Sequence, residues 1–319
     1  MSTYTTIRTP SEIEKHFDNY ILDCQYGKQL SPKTIASYKD VFNTFRKIIT
    51  EIVALEDFYP QMIPQFFKRI ATRKRIVGKN KVKVGVKPST IKTYYNKLVA
   101  FFIWLERSGE LSQGFVKQIS KPKNPTYDDS KALTDTEASR ILSSITQNTM
   151  DNYFLYLRDL IIVELLLYTG VRKGELLALK ISDIDFTRNN IFINGLTSKS
   201  KHSRYIPLHF SLTSHLKTYL KERQKLGSST EALIISTIKD KALTEHGLKH
   251  WVNKYIKLSG VKFHLHRFRH TFACKLALEN TDIITIMNVL GHCSVETTLR
   301  YLRSIKAENS REYIQQIIY

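Results

Sequence analysis

The stretch from Lys121 to Ala132 reads KPKNPTYDDSKA, with two prolines and little apolar content. A buried helix or strand cannot be assembled from it, so it reads as a linker. Just beyond it, Thr134 and Glu137 have the spacing of a capping box, which opens a new helix. The chain must therefore fold in two parts, divided near residues 125–130. Its 319 residues suffice for two domains of ordinary size. They are expected at 1–125 and 126–319.

The first part reads helical. Ser31 and Pro32 pair a capping side chain with a proline at the first helical position. Ile35, Tyr38, Phe42, Phe45 and Ile49 then fall on one face. A second helix opens at Pro88 and carries Ile91, Tyr95, Leu98, Phe102 and Leu105 as its stripe, ending near Gly109. Such stripes are core faces. Between the two lies ATRKRIVGKNKVKVGVKPS, rich in Lys and Arg, with no acid and two glycines. It reads as a loop, either solvated or lying on DNA phosphates. Unbroken positive charge of this length favours the second reading. The candidate contacts are Arg73, Lys74, Arg75, Lys79, Lys81, Lys83 and Lys87.

The second part reads as mixed. Helical stripes cover about 135–148 and 153–168, and a short helix follows Arg172. The apolar run from Leu160 to Tyr168 contains Glu164 and is too short to span a bilayer, so it reads as a buried helix. Turn residues at Thr187–Asn190 and around Ser198–Ser203 flank strands at Ile191–Ile193 and Tyr205–Ile206. This predicts a small antiparallel sheet with Lys199 at a hairpin turn. The remainder is expected to be mostly helical. The fold class is mainly α with a small antiparallel β-sheet.

Lys plus Arg is 49 against 29 for Asp plus Glu, a formal charge of +20. That excess favours a polyanionic partner, because each phosphate neutralised releases counterions. The polar N-terminus does not read as a signal peptide. Cys24, Cys274 and Cys293 lack ligand-pair spacing and point to reduced thiols in a cytoplasm. A zinc site is disfavoured for the same reason. No membrane association is expected.

Arg172, Lys199, His266, Arg269, His292 and Tyr301 form a set suited to phosphodiester chemistry. The cations can hold the phosphate and neutralise charge as it develops. The tyrosine can attack. No carboxylate cluster suggests a metal, so the protein would supply the positive charge itself and no cofactor is expected.

The spacing of these residues resembles the tyrosine recombinases of the phage-integrase and Xer-like family. Thr169-Gly170-Val171-Arg172 with Glu175 and Leu176 matches one motif. Lys199, eight residues before Pro207, matches the hairpin lysine, with Lys201 as a rival. His266, Arg269, His270, Thr271, Phe272 and Ala273 match H-x-x-R-H-T-F-A. Leu290-Gly291-His292 is followed nine residues later by Tyr301. Arg267 departs from the family, which often has Asp or Gly there. Tyr313 and Tyr319 rival Tyr301 by residue type alone.

The resemblance implies a helical core-binding domain joined to an α+β catalytic domain, the two clamped around duplex DNA. It implies a covalent 3′-phosphotyrosine on Tyr301, a free 5′ hydroxyl, and strand exchange through a Holliday junction. In that scheme Arg172 and Arg269 hold the phosphate and His266 is a base or positioning group. His292 bonds the phosphate or the nucleophile, and Lys199 protonates the leaving oxygen. Glu175 and His270 support them. The implied partners are double-stranded DNA with inverted-repeat sites and a homotetramer on two such sites. The tail beyond Tyr301, with Ile314, Ile317 and Ile318 at helical spacing, is expected to pack in cis or to dock on a neighbouring protomer. A first helix near Pro10 leaves no room for an arm-binding domain and favours a simple Xer-like or mobile-element role. The sequence leaves three other readings open: a type IB topoisomerase, a sequence-specific DNA-binding protein with a degenerate site, and a metal nuclease.

Overall fold

The computed structural model describes residues 11–77, 81–123, 132–197, 201–236 and 240–299. The chain divides into two compact units, residues 1–126 and 127–319.

The first unit contains α1 (Glu12–Leu22), α2 (Pro32–Ile48), α3 (Met62–Thr72), the strands β1 (Lys74–Val77) and β2 (Lys81–Val84), and α4 (Pro88–Arg107). The expected caps hold locally. Ser31 Oγ accepts the amide hydrogen of Thr34 at 3.3 Å and Pro32 takes the first helical position. The expected stripes form the core: Ile35, Phe42, Phe45 and Ile49 from α2 and its end meet Leu98, Phe102 and Leu105 from α4. Tyr38 is half-buried at the margin. Phe17 of α1 stacks on Phe42 at 3.7 Å, and Phe101 meets both edge-on.

The basic segment departs from expectation. It is an antiparallel hairpin, with Arg75 opposite Lys83 and Ile76 opposite Val82. The alternation K-V-K-V at 81–84 is a strand signal, masked in the sequence by its charge. Arg73 caps the end of α3, Lys74 and Arg75 lie in β1, Lys81 and Lys83 in β2, and Lys87 caps the start of α4. Lys79 lies outside the described residues.

The second unit contains α5 (Asp135–Thr149), α6 (Tyr153–Thr169), α7 (Lys173–Ala178), β3 (Ile184–Asp185), β4 (Asn190–Ile193), β5 (Arg204–Pro207), α8 (Phe210–Lys225), α9 (Glu245–Ser259), α10 (Leu265–Leu278) and α11 (Ile283–Leu290). A helical turn follows at 295–299. The capping box of Thr134 and Glu137 opens α5. Asn152 caps α6 through the amide of Leu155 at 2.8 Å.

Helix α6 is apolar nearly all round and packs against α5, α8 and α10. That is how an all-apolar helix must sit in a globular unit. Its one acid in the apolar run, Glu164, meets His215 of α8 at 2.9 Å. The strands form one antiparallel sheet in the order β3-β4-β5, with Ile191 paired to both Ile184 and Ile206. Among the described residues no helix is long and apolar enough to cross a membrane.

Candidate active site

Four of the expected residues converge where α6 hands over to α7 and where α11 ends. Helix α6 stops at Gly170, with φ +59°. A Cβ there would stand 2.5 Å from Cδ1 of Phe272, so only glycine permits both the left-handed turn and the close approach of α10. Helix α11 stops at Gly291, with φ +66°, where a Cβ would stand 2.9 Å from Nη1 of Arg204. Each of these glycine turns presents carbonyls inward.

The two arginines use those carbonyls. Arg269 of α10 is 1 % exposed. Its Nη1 donates to the Gly170 carbonyl at 2.7 Å and its Nη2 to the Leu290 carbonyl at 2.5 Å. Arg172 caps α7, and its Nη2 donates to the Gly291 carbonyl at 2.8 Å. Its side chain keeps 25 % exposure. One guanidinium is therefore enclosed and the other reaches the surface.

Glu175 is buried and joins Arg172 to a third arginine. Its Oε1 accepts from Arg172 Nη1 at 2.9 Å, and its Oε2 accepts the Arg172 amide at 2.9 Å. Arg204 of β5 donates Nη2 to Oε2 at 2.9 Å and Nη1 to Oε1 at 3.2 Å. The Nε of Arg204 donates to the Val289 carbonyl at 2.6 Å. Thus β5, α7 and the end of α11 are tied through one carboxylate. A fork-to-carboxylate contact fixes both distance and plane.

The histidines complete the site. On α10, His266, Arg269 and His270 stand three and four residues apart, the spacing that places side chains on one helix face. His292 follows Gly291, and its Nδ1 lies 2.8 Å from the Thr298 hydroxyl. Burial, then the cations of Arg269 and Arg172, push the His292 pKa down to about 3. Desolvation by packed neighbours, then Arg269, His264, His270 and Arg172, push that of His266 down to about 4. Both imidazoles are neutral near pH 7, which leaves each a lone pair to accept a proton. His270 is buried beside them.

Lys199 and Tyr301 lie outside the described residues. Lys201, the rival lysine, is exposed with φ +56°. Arg267, the departure from the family pattern, faces elsewhere: it donates to Glu137 at 2.6 Å and to the Ala132 carbonyl at 3.2 Å. It fastens α10 to the entry of the unit. Arg204 and Thr298 did not stand out in the sequence. The signal for Arg204 was available, because the strand alternation that turns Ile206 inward also turns Arg204 inward.

The family model of the phage integrase family matches residues 131–308. The chain belongs to the phage integrase family. The Xer-like tyrosine recombinase character expected from the motifs stands. Among curated relatives, a tyrosine recombinase XerC of Staphylococcus aureus (strain USA300 / TCH1516) is 26 % identical over 300 residues, covering 93 % of this chain and 94 % of the relative.

The solved structure of the XerH recombinase bound to a palindromic difH substrate, post-cleavage, aligns with a TM-score of 0.71 at 22 % identity, over 92 % of this chain and 83 % of that one. A lambda integrase tetramer bound to a Holliday junction aligns with a TM-score of 0.68 at 21 % identity, over 91 % and 76 %. These two share the fold with this phage integrase family member.

Proposed function

We propose that the protein is a site-specific recombinase that cuts and rejoins double-stranded DNA through a covalent 3′-phosphotyrosine on Tyr301. The observation that carries this is the convergence of Arg172 and Arg269 on the Gly170 and Leu290–Gly291 turns, with His266 and His292 held neutral beside them. Fixed cations aimed at a phosphate are worth most where charge develops during attack, and they need no reorganisation at that moment.

In this reading Tyr301 attacks the scissile phosphorus and the bond to the 5′ oxygen breaks. An unperturbed tyrosine has a pKa near ~10, so a neutral imidazole at hand is needed to take its proton. His266 takes that part, with His292 bonding the phosphate. Arg172, with its exposed edge, meets the non-bridging oxygens, and Arg269 adds charge from behind. Glu175 and Arg204 hold Arg172 in place, and His270 supports His266. Lys199 gives the departing 5′ oxygen its proton. The energy of the broken bond stays in the phosphotyrosine, so another strand's 5′ hydroxyl can reseal it without ATP. Two such rounds exchange strands through a Holliday junction.

Residues 1–125 form the core-binding domain in this reading and 126–319 the catalytic domain. Arg73, Lys74, Arg75, Lys79, Lys81, Lys83 and Lys87 contact the DNA backbone. The DNA carries inverted-repeat sites and a homotetramer spans two of them, each tail docking its Ile314, Ile317 and Ile318 on a neighbour. The cytoplasm is the compartment this chemistry implies.

The test is a nicked suicide duplex carrying the selected site, resolved on a denaturing gel in EDTA. The wild-type protein is expected to form a covalent adduct. Tyr301→Phe is expected to bind the same DNA and form none. An adduct that persists in the variant would move the nucleophile to Tyr313 or Tyr319. Activity lost in EDTA and restored by magnesium would overturn the reading.

A further inference from the structure

The exposed face of α9 carries two histidines one helical turn apart, His246 and His250. Their Nε2 atoms face each other at 2.9 Å, and their rings stand at 78° with centroids 4.5 Å apart. The chemistry proposed above for the arginine and histidine cluster does not use them.

Two imidazoles at i and i+4 are the helical arrangement that chelates a divalent transition metal. The separation here is specific. A metal about 2.0–2.1 Å from each nitrogen would subtend an angle of about 90° at that spacing. That is the angle between neighbouring positions of a tetragonal or octahedral ion and is narrower than a tetrahedral one. Imidazole nitrogen suits copper and nickel, which prefer the tetragonal geometry. The helix backbone keeps the two side chains one turn apart, so the second bond forms within the molecule and the affinity exceeds that of two separate histidines.

We propose that His246 and His250 form a surface chelate for a divalent transition metal of the nickel or copper(II) class, the remaining coordination positions being filled by water. Lys173 pairs with Glu245, the residue before His246, so an occupied chelate would sit one ion pair away from the residue that follows Arg172.

The test uses the untagged full chain, stripped of metal and titrated with nickel(II) in a calorimeter. One ion per chain is expected. His246→Asn and His250→Asn are each expected to weaken binding by about a hundredfold, the lower end of the gain from linking two ligands. Nickel should also raise the melting temperature of the wild type, since a ligand that binds only the folded state stabilises it. It should not raise that of the double variant. Both residues are exposed, so far-UV circular dichroism of the variants should match the wild type. A variant that misfolds is replaced by Gln at the same position. An absent isotherm, or one that either single variant leaves unchanged, reduces the pair to a hydrogen bond between two rings and overturns the proposal. A double variant that still binds one ion overturns it too.

Discussion

The guanidinium of Arg269 donates to the carbonyl of Gly170 at 2.7 Å, joining residues 99 apart in sequence. Arg172, from the segment of Gly170, donates in turn to Gly291 at 2.8 Å, across 119 residues. Each arginine thus holds the glycine turn that belongs to another motif. The positive charges are placed by main-chain acceptors, whose positions are set by where the helices end. Helix termination and phosphate chemistry are one problem at this site.

Replacing Gly170 by Ala is the direct check on that link. The left-handed conformation alone costs a non-glycine residue about 1–3 kcal/mol, and the added methyl would meet Phe272. The melting temperature should fall by several degrees. Covalent adduct formation should fall further than binding, because the acceptor of Arg269 moves with the turn. A variant that melts and cleaves like the wild type would show that the turn adapts freely.

Arg204→Met should unfold more readily than the wild type. It removes one of the two cations that pair with the buried Glu175 among the described residues, and breaking a buried pair costs about 3–5 kcal/mol. The double variant Arg204→Met, Glu175→Gln should recover much of that loss in urea unfolding, because no uncompensated carboxylate remains. Equal losses in the single and double variants would deny the coupling.

Stability should depend on pH through His292 and His266. Their folded pKa values, about 3 and about 4, lie below the unfolded value of about 6.5. The unfolded chain therefore binds more protons at mildly acid pH, and stability rises with pH. The contribution is complete above about 6.5 and is lost as pH falls toward the folded values. Melting temperatures between pH 4 and 7 should show this slope, and His292→Asn should flatten it. A variant with the wild-type slope would assign the dependence to other groups.

Lys199→Ala should cleave ordinary DNA poorly, since an unprotonated 5′ oxygen leaves badly. A 5′-bridging sulfur leaves without a proton and should restore cleavage to that variant. Rescue seen with Lys201→Ala in place of Lys199→Ala would transfer the acid by two residues.

Much of this was legible in the sequence because it is local. Caps at Ser31 and Thr134, and the stripes of α2 and α4, depend on residues a few positions apart. Arg172, His266, Arg269 and His292 are far apart in the chain and were legible because each sits in a short motif that resembles the family's. The paired strands at 74–77 and 81–84 were not, because their charge is the stronger signal and reads as a loop. Arg204 was not, because its value lies in a carboxylate 29 residues away and a carbonyl 85 residues away. The acceptors of Arg172 and Arg269 are backbone atoms, and a backbone atom leaves no signature in residue type.

The hairpin has one more consequence. Arg75 and Lys83 stand directly opposite each other, and like charges so placed oppose strand pairing. A two-stranded ribbon is marginal on its own. Salt relieves this repulsion, and so does a polyanion lying across the strands. If the ribbon lies on DNA as proposed, ionic strength acts twice on the complex, once on counterion release and once on the ordering of the ribbon. The two effects have opposite sign. A count of phosphates read from the slope of binding against salt, at about 0.9 per contact, would come out too low for this protein. Locking the strands together beforehand would restore the full count.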